Sequence, residues 1–320
     1  MPKVTIFAKL SAGVVEQLCQ FAPADFDVEV YPANLSVDDK IERTQDSSFL
    51  VLLPAQIEDK VVRAAKELKL IQLVGVGFDK MNLDLCRELG IPIATNGGAN
   101  AIDVAEHTLA MILAFYRRFR ELDANVRNNK WSAIDTGMTT YTIHGKTAGI
   151  IGLGQIGRRV AQLLNAFGAN VLYYDAFRVP EEQEAALGVT YAPLDDLFRQ
   201  ADIVSLHVPL LPATKGLINA DTLALMKPNA LVVNTCRGPV IDEAALTAAL
   251  QAQQIGGAVL DVLEEEPTSP DNPLLTLDNV LLTPHTAGIT FDTWQRRGRF
   301  IFDNLQRVWA GEEAQAVVNR

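Results

Sequence analysis

The stretch IIGLGQIGRRV, Ile150 to Val160, places Gly152, Gly154 and Gly157 in a G-x-G-x-x-G frame with apolar residues on both sides. Glycine turns of this kind are common, so the flanking pattern has to settle the reading. The preceding TAGII reads as a strand. The following QIGRRVAQLLNAFG reads as a helix, with Ile156, Val160, Leu163, Leu164 and Phe167 on one face and Gly168 as a C-terminal cap. At a strand-to-helix turn Gly152 permits the tight bend, Gly154 lets backbone approach a pyrophosphate, and Gly157 lets helix and strand pack closely. The uncapped N–H groups and dipole of the helix start attract the anion. Gln155 and Ile156 open that helix and belong to the same candidate site.

The next strand, ANVLYYDA, ends with Asp175, 18 residues after Gly157. A carboxylate there accepts hydrogen bonds from both ribose hydroxyls and repels a 2′-phosphate, which favours NAD over NADP; Arg178 works slightly against that preference. A flavin or S-adenosylmethionine site on the same unit is the alternative reading.

At 320 residues the chain exceeds the roughly 250 to 300 at which one core stops growing, so two domains are expected. Both are α/β. The first hundred residues alternate short β-branched runs with amphipathic stretches, and a second alternation runs from Thr147 to about Gly288. Between them a long helical pattern spans about 101 to 129. The last segment, ITFDTWQRRGRFIFDNLQRVWAG, is helical again and is expected to return to the first domain. A formal charge of −11 argues against a nucleic-acid or anionic-membrane partner, because both need clustered Lys and Arg. Three cysteines without a C-x-x-C pair fit reduced thiols in a cytoplasmic protein, and no metal is implied. The N-terminus lacks the pattern of a signal peptide, and no apolar run is long enough to span a membrane.

Three downstream segments, LVVNTCRGPVIDE, GGAVLDVLEEEP and NVLLTPHTAG, end expected strands and offer Arg237, Glu266 and His285. With HGKTAGIIGLGQIGRRVA, VSLHVPL and the early LVGVGFD, they resemble the D-isomer-specific 2-hydroxyacid dehydrogenases, in order and over essentially the whole chain. The resemblance implies a Rossmann NAD-binding domain, residues 99–288, and a discontinuous flavodoxin-like substrate domain, residues 1–98 plus 289–320, each a doubly wound parallel sheet. It also implies hydride transfer between NAD(H) and a small 2-keto or 2-hydroxy acid. Arg237 would grip the carboxylate, His285 would exchange the proton, and Glu266 would hold the imidazole. His207 and Pro209 would lie beside the adenine, Thr235, Cys236 and Asp261 along the nicotinamide wall, and Thr108 near it. His107 and His144 are assigned structural roles.

Val76 and Gly77 would present backbone N–H groups to the substrate carboxylate. Ile71 to Asp79 carries no Lys or Arg, which ranks glyoxylate, hydroxypyruvate or pyruvate above 3-phosphoglycerate. Hinge points are expected near residues 96–101 and 287–289, and a homodimer is expected through the apolar helix that starts at Ala101. The same fold also serves NAD-sensing corepressors, a binding alternative to an enzyme.

Overall fold

The computed structural model describes residues 1–131 and 133–320, and the chain divides into two compact units, Met1–Asn100 with Ile289–Arg320, and Ala101–Gly288. In the first unit the elements run β1 (Lys3–Ala8), α1 (Ala12–Cys19), β2 (Asp27–Pro32), α2 (Val37–Thr44) and β3 (Phe49–Leu53). They continue with α3 (Asp59–Ala64), β4 (Leu70–Leu73), α4 (Leu83–Glu88) and β5 (Ile93–Ala94). The five strands are parallel in the order β2-β1-β3-β4-β5, the flavodoxin-like arrangement.

Strand β3, FLVLL, shows why the run is continuously apolar: Phe49 and Val51 enter the core on one face of the sheet, Leu50 and Leu52 the core on the other. The C-terminal helix, Phe291–Trp309, fills the first of these cores with Trp294, Ile301, Phe302 and Leu305. Trp309, at the end of this helix, is 44% exposed. Gly298 is required on this helix, because a Cβ would strike the Leu18 carbonyl oxygen of α1.

The second unit opens with α5 (Ala101–Tyr116) and α6 (Phe119–Arg127), followed by β6 (Thr147–Ile151), α7 (Gln155–Ala166) and β7 (Asn170–Tyr174). Next come α8 (Glu181–Leu187), β8 (Val189–Tyr191), α9 (Leu194–Gln200), β9 (Ile203–Leu206), α10 (Ala220–Leu225) and β10 (Leu231–Asn234). It closes with α11 (Glu243–Gln251), β11 (Gly257–Leu260) and β12 (Val280–Leu282). Its seven strands are parallel in the order β12-β11-β10-β9-β6-β7-β8, a Rossmann sheet whose direction of winding reverses between β6 and β9. Alternation again divides the strands: Val232 joins one core, Leu231 and Val233 the other.

The single helix expected over residues 101–129 is in fact two. Arg118 adopts the left-handed conformation, φ 53°, which ends α5 and starts α6 in a new direction. Hydrophobic periodicity is blind to one such backbone reversal. Helix α5 also spends its apolar face inside its own unit, where Ala105, Met111, Ile112 and Tyr116 are buried. Ile102 on α5 is exposed, and more strongly exposed apolar residues lie further on, at Phe119, Val126, Trp131, Ile134 and Met138.

Candidate active site

Both halves of the candidate site stand at the C-terminal edge of the seven-stranded sheet, where open parallel sheets bind ligands. On the phosphate side, the turn after β6 is built by its glycines. Gly152 has φ 95°, and a Cβ on it would lie 2.6 Å from the His207 carbonyl oxygen at the end of β9. A Cβ on Gly157 would strike the Gly152 carbonyl oxygen, so α7 can begin this close to the turn only with glycine there. Gly154 differs: it is the N-cap, no side chain caps it, and nothing lies within 4 Å of where its Cβ would be. Open space and uncapped N–H groups at a 12-residue helix fit a pyrophosphate. Gln155 is exposed beside it and Ile156 half-buried.

Asp175 follows β7 and is pinned by two backbone donors, Leu153 N to Oδ2 at 2.7 Å and Phe177 N to Oδ1 at 3.0 Å. Each carboxylate oxygen keeps a lone-pair direction for a ribose hydroxyl. His207 bonds Ser205 Oγ through Nε2 at 2.8 Å, and burial pushes its imidazole down to about 3, so the ring is neutral. Pro209 is exposed two residues on.

The chemical side is assembled by loops after β10, β11 and β12. Asn234 at the end of β10 folds the first loop, donating from Nδ2 to the Arg237 carbonyl oxygen at 2.9 Å and accepting from Cys236 N at 3.0 Å. Gly238 lets that loop meet the second one, since a Cβ there would collide with the Leu263 carbonyl. The approach brings Arg237 within electrostatic reach of Glu266. The Arg237 Nη1 donates to the Cys236 carbonyl oxygen at 2.6 Å. Burial pushes the Cys236 thiol up to about 11, which leaves it a protonated packing group rather than a nucleophile.

His285 and Glu266 meet directly, Nδ1 to Oε2, at 2.7 Å. Partial burial alone would push the Glu266 carboxyl up. The His285 hydrogen bond and charge, the Leu263 N–H and the Arg237 charge outweigh it and hold the group below its usual range. An ionised carboxylate can only accept, so Nδ1 carries the proton and Nε2 is the ring position turned away from Glu266.

His285 has φ 55°, a left-handed conformation uncommon outside glycine. What holds it is Asp261, 1% exposed at the end of β11. Its Oδ1 accepts from Thr283 Oγ1 at 2.5 Å and from Thr286 N at 2.8 Å, and its Oδ2 accepts from Ala287 N at 2.9 Å. The Asp261 carbonyl oxygen takes the His285 N–H at 2.7 Å. The Thr283 hydroxyl proton goes to the carboxylate, so His107 Nε2, 3.1 Å away, donates to Thr283 Oγ1.

Asp261, expected along the nicotinamide wall, thus also braces the loop that bears His285. His107 is the outer end of the same brace. Sequence spacing could not reveal this, because the partners lie 22 and 176 residues apart. Thr108 and Thr235 are brought together, Oγ1 to Oγ1, at 3.0 Å, both buried. Gly168, φ 77°, closes α7, and a Cβ on it would strike the His144 ring. Val76 and Gly77 lie in the first unit, in the loop after β4, both half-buried.

A seven-stranded Rossmann sheet with an anion-ready turn, a carboxylate at the next strand end and an imidazole braced at the same edge defines a dinucleotide-dependent oxidoreductase. Residues 109–287 match the family model described as D-isomer specific 2-hydroxyacid dehydrogenase, NAD binding domain. The glyoxylate reductase of Korarchaeum cryptofilum is 40% identical over 283 residues, 88% of this chain and 85% of that protein. The D-3-phosphoglycerate dehydrogenase of Methanocaldococcus jannaschii is 38% identical over 295 residues, 92% of this chain but 55% of that protein. Among solved structures, apo D-mandelate dehydrogenase of Rhodotorula graminis superposes with a TM-score of 0.87 at 28% identity, covering 100% of this chain and 98% of that one. The chain belongs to the D-isomer-specific 2-hydroxyacid dehydrogenase family. It is an NAD-dependent enzyme that acts on the CH–OH group of 2-hydroxy acids, and its cofactor is NAD.

Proposed function

We propose that the enzyme reduces a small 2-keto acid, of the glyoxylate, hydroxypyruvate or pyruvate type, with His285 as proton donor, Arg237 as the carboxylate clamp and Glu266 as the group that orients the imidazole. The observation that carries this reading is the 2.7 Å bond between His285 Nδ1 and Glu266 Oε2, which fixes the tautomer and leaves Nε2 for substrate. When bound, the nicotinamide supplies a hydride to the substrate C2. The carbonyl electron pair then moves onto oxygen, and His285 Nε2 delivers the proton there; in oxidation the same nitrogen takes it back. Arg237 pairs its fork of donors with the carboxylate and polarises the keto oxygen. The donor form is the imidazolium, with its Nδ1–H directed to Glu266 and its Nε2–H to the keto oxygen.

Gly152, Gly154, Gln155, Ile156 and Gly157 would hold the pyrophosphate and Asp175 the adenosine ribose. His207, Pro209, Thr108, Thr235, Cys236 and Asp261 would line the rest of the cofactor site. Val76 and Gly77 would be backbone donors to the carboxylate, with the first unit as the substrate domain. The absence of Lys and Arg from Ile71 to Asp79 ranks phosphorylated acids lower. The names of the relatives fit both sides of that ranking.

A second copy of the chain is the proposed cover for the apolar surface at Phe119, Val126, Trp131, Ile134 and Met138, between 53% and 91% exposed. A cytoplasmic location is proposed from the three free cysteines. Among the described residues no helix is long and apolar enough to cross a membrane. The test of the reading is a panel of 2-keto acids assayed with NADH and NADPH in parallel. Consumption of NADH with the small acids supports it; tight NAD binding without turnover across the panel would favour a cofactor-sensing binding protein instead.

A further inference from the structure

The loop between β7 and α8 holds a construction that ribose binding by Asp175 does not call for. Glu184 of α8 is 8% exposed, and its carboxylate is filled by three donors. Oε1 accepts from the Tyr173 hydroxyl at 2.7 Å and from Arg178 Nε at 2.8 Å, and Oε2 accepts from an Arg178 Nη at 3.1 Å. The Tyr173 hydroxyl in turn accepts from Val179 N at 3.2 Å, which ties the loop down. The Arg178 guanidinium also sits over the Tyr191 ring, 5.1 Å from its centroid. The Arg178 pair first, then Tyr173, holds the Glu184 carboxyl below its usual range, so the acid is ionised.

The consequence concerns charge next to the ribose. Arg178 is the one basic residue between Tyr173 and Pro180, three positions after Asp175. In dinucleotide folds a nearby arginine is the side chain able to receive a 2′-phosphate. Here Nε and one Nη of the half-exposed guanidinium are engaged by a carboxylate in bidentate geometry, the arrangement in which guanidinium binds anions most strongly. We propose that Glu184 is a specificity-determining residue for the cofactor: it withholds the Arg178 guanidinium from a phosphate on the ribose 2′ oxygen, and so reinforces the rejection of 2′-phosphorylated dinucleotide by Asp175.

The test is calorimetric binding of adenosine 5′-monophosphate and adenosine 2′,5′-bisphosphate to the full chain, with no turnover required. In the Asp175→Ala background, Glu184→Gln should leave 5′-monophosphate affinity within about twofold and tighten the bisphosphate by about five- to tenfold, as expected for a freed charge-assisted contact. Adding Arg178→Ala should remove that gain. An unchanged ratio of the two affinities in Glu184→Gln, or a gain that survives loss of Arg178, overturns the proposal. Thermal melting accompanies each variant. A second measurement does not depend on Glu184→Gln folding: Arg178→Ala alone should leave bisphosphate affinity unchanged. A weakened affinity there means that Arg178 already serves the phosphate, and contradicts the proposal.

Discussion

Glu266 and His285 lie on separate loops, after β11 and β12, yet the carboxylate receives the imidazole Nδ1–H at 2.7 Å. The bond joins two exposed side chains, 38% and 49% exposed, and the backbone that bears His285 is held by the buried Asp261. Geometry is therefore set below the surface and chemistry is presented above it.

The lowered Glu266 value fixes a direction with pH. Its folded value is below the ordinary 4.5, so the carboxylate favours the folded protein above that pH, and the contribution is lost as pH falls through the lowered folded value. Glu266→Gln should flatten the acid side of the stability profile. It should also slow reduction by about tenfold, because the imidazole loses the carboxylate that orients it. Rates and urea midpoints between pH 4 and pH 9 check both.

Asp261→Asn replaces one acceptor oxygen beneath the His285 loop with a donor facing the Ala287 N–H. Leaving that buried contact unsatisfied should cost about 1–3 kcal/mol in urea denaturation. The reduction rate should fall by at least about tenfold as His285 loses its brace. Thr283→Val, which keeps the volume and removes the hydroxyl, should show the same two effects more weakly.

The glycines of the turn should separate stability from binding. Gly157→Ala places a methyl against the Gly152 carbonyl oxygen and should lower the melting temperature or prevent folding. Gly154→Val meets open space in the protein and should leave melting nearly unchanged, while weakening NADH binding by at least about tenfold, because the side chain would stand where the pyrophosphate approaches. Differential scanning fluorimetry and fluorescence titration distinguish the two.

A second copy seated on the exposed apolar surface predicts a dimer by sedimentation at micromolar concentration. Trp131→Glu with Met138→Glu, at positions 83% and 85% exposed, should shift the protein to monomer without lowering the stability of the single chain.

Much of this was legible in the sequence because it is local. The alternation of apolar runs sets the parallel sheets. The glycine frame and Asp175 lie on one continuous strand-turn-helix-strand segment, so their spacing alone places the acid at the end of the next strand. Arg237, Glu266 and His285 each follow an expected strand, and parallel packing of β10, β11 and β12 brings those strand ends to one edge. The rest needed three dimensions. No pattern announces that Arg118 turns left-handed, so the single helix expected over 101–129 is two. The Asp261 to Thr283 to His107 brace and the Glu184 to Arg178 pair are side-chain meetings between helices and loops, and hydrophobic periodicity carries no information about them.

The most direct measurement is single-turnover hydride transfer from NADH to glyoxylate by the wild-type enzyme and by His285→Ala, with NADH affinity titrated on both. The account predicts NADH consumption by the wild type, and transfer slower by about 10² to 10⁴ in His285→Ala with NADH affinity within about threefold. Equal transfer rates in the two proteins would contradict the role of His285 as the proton donor.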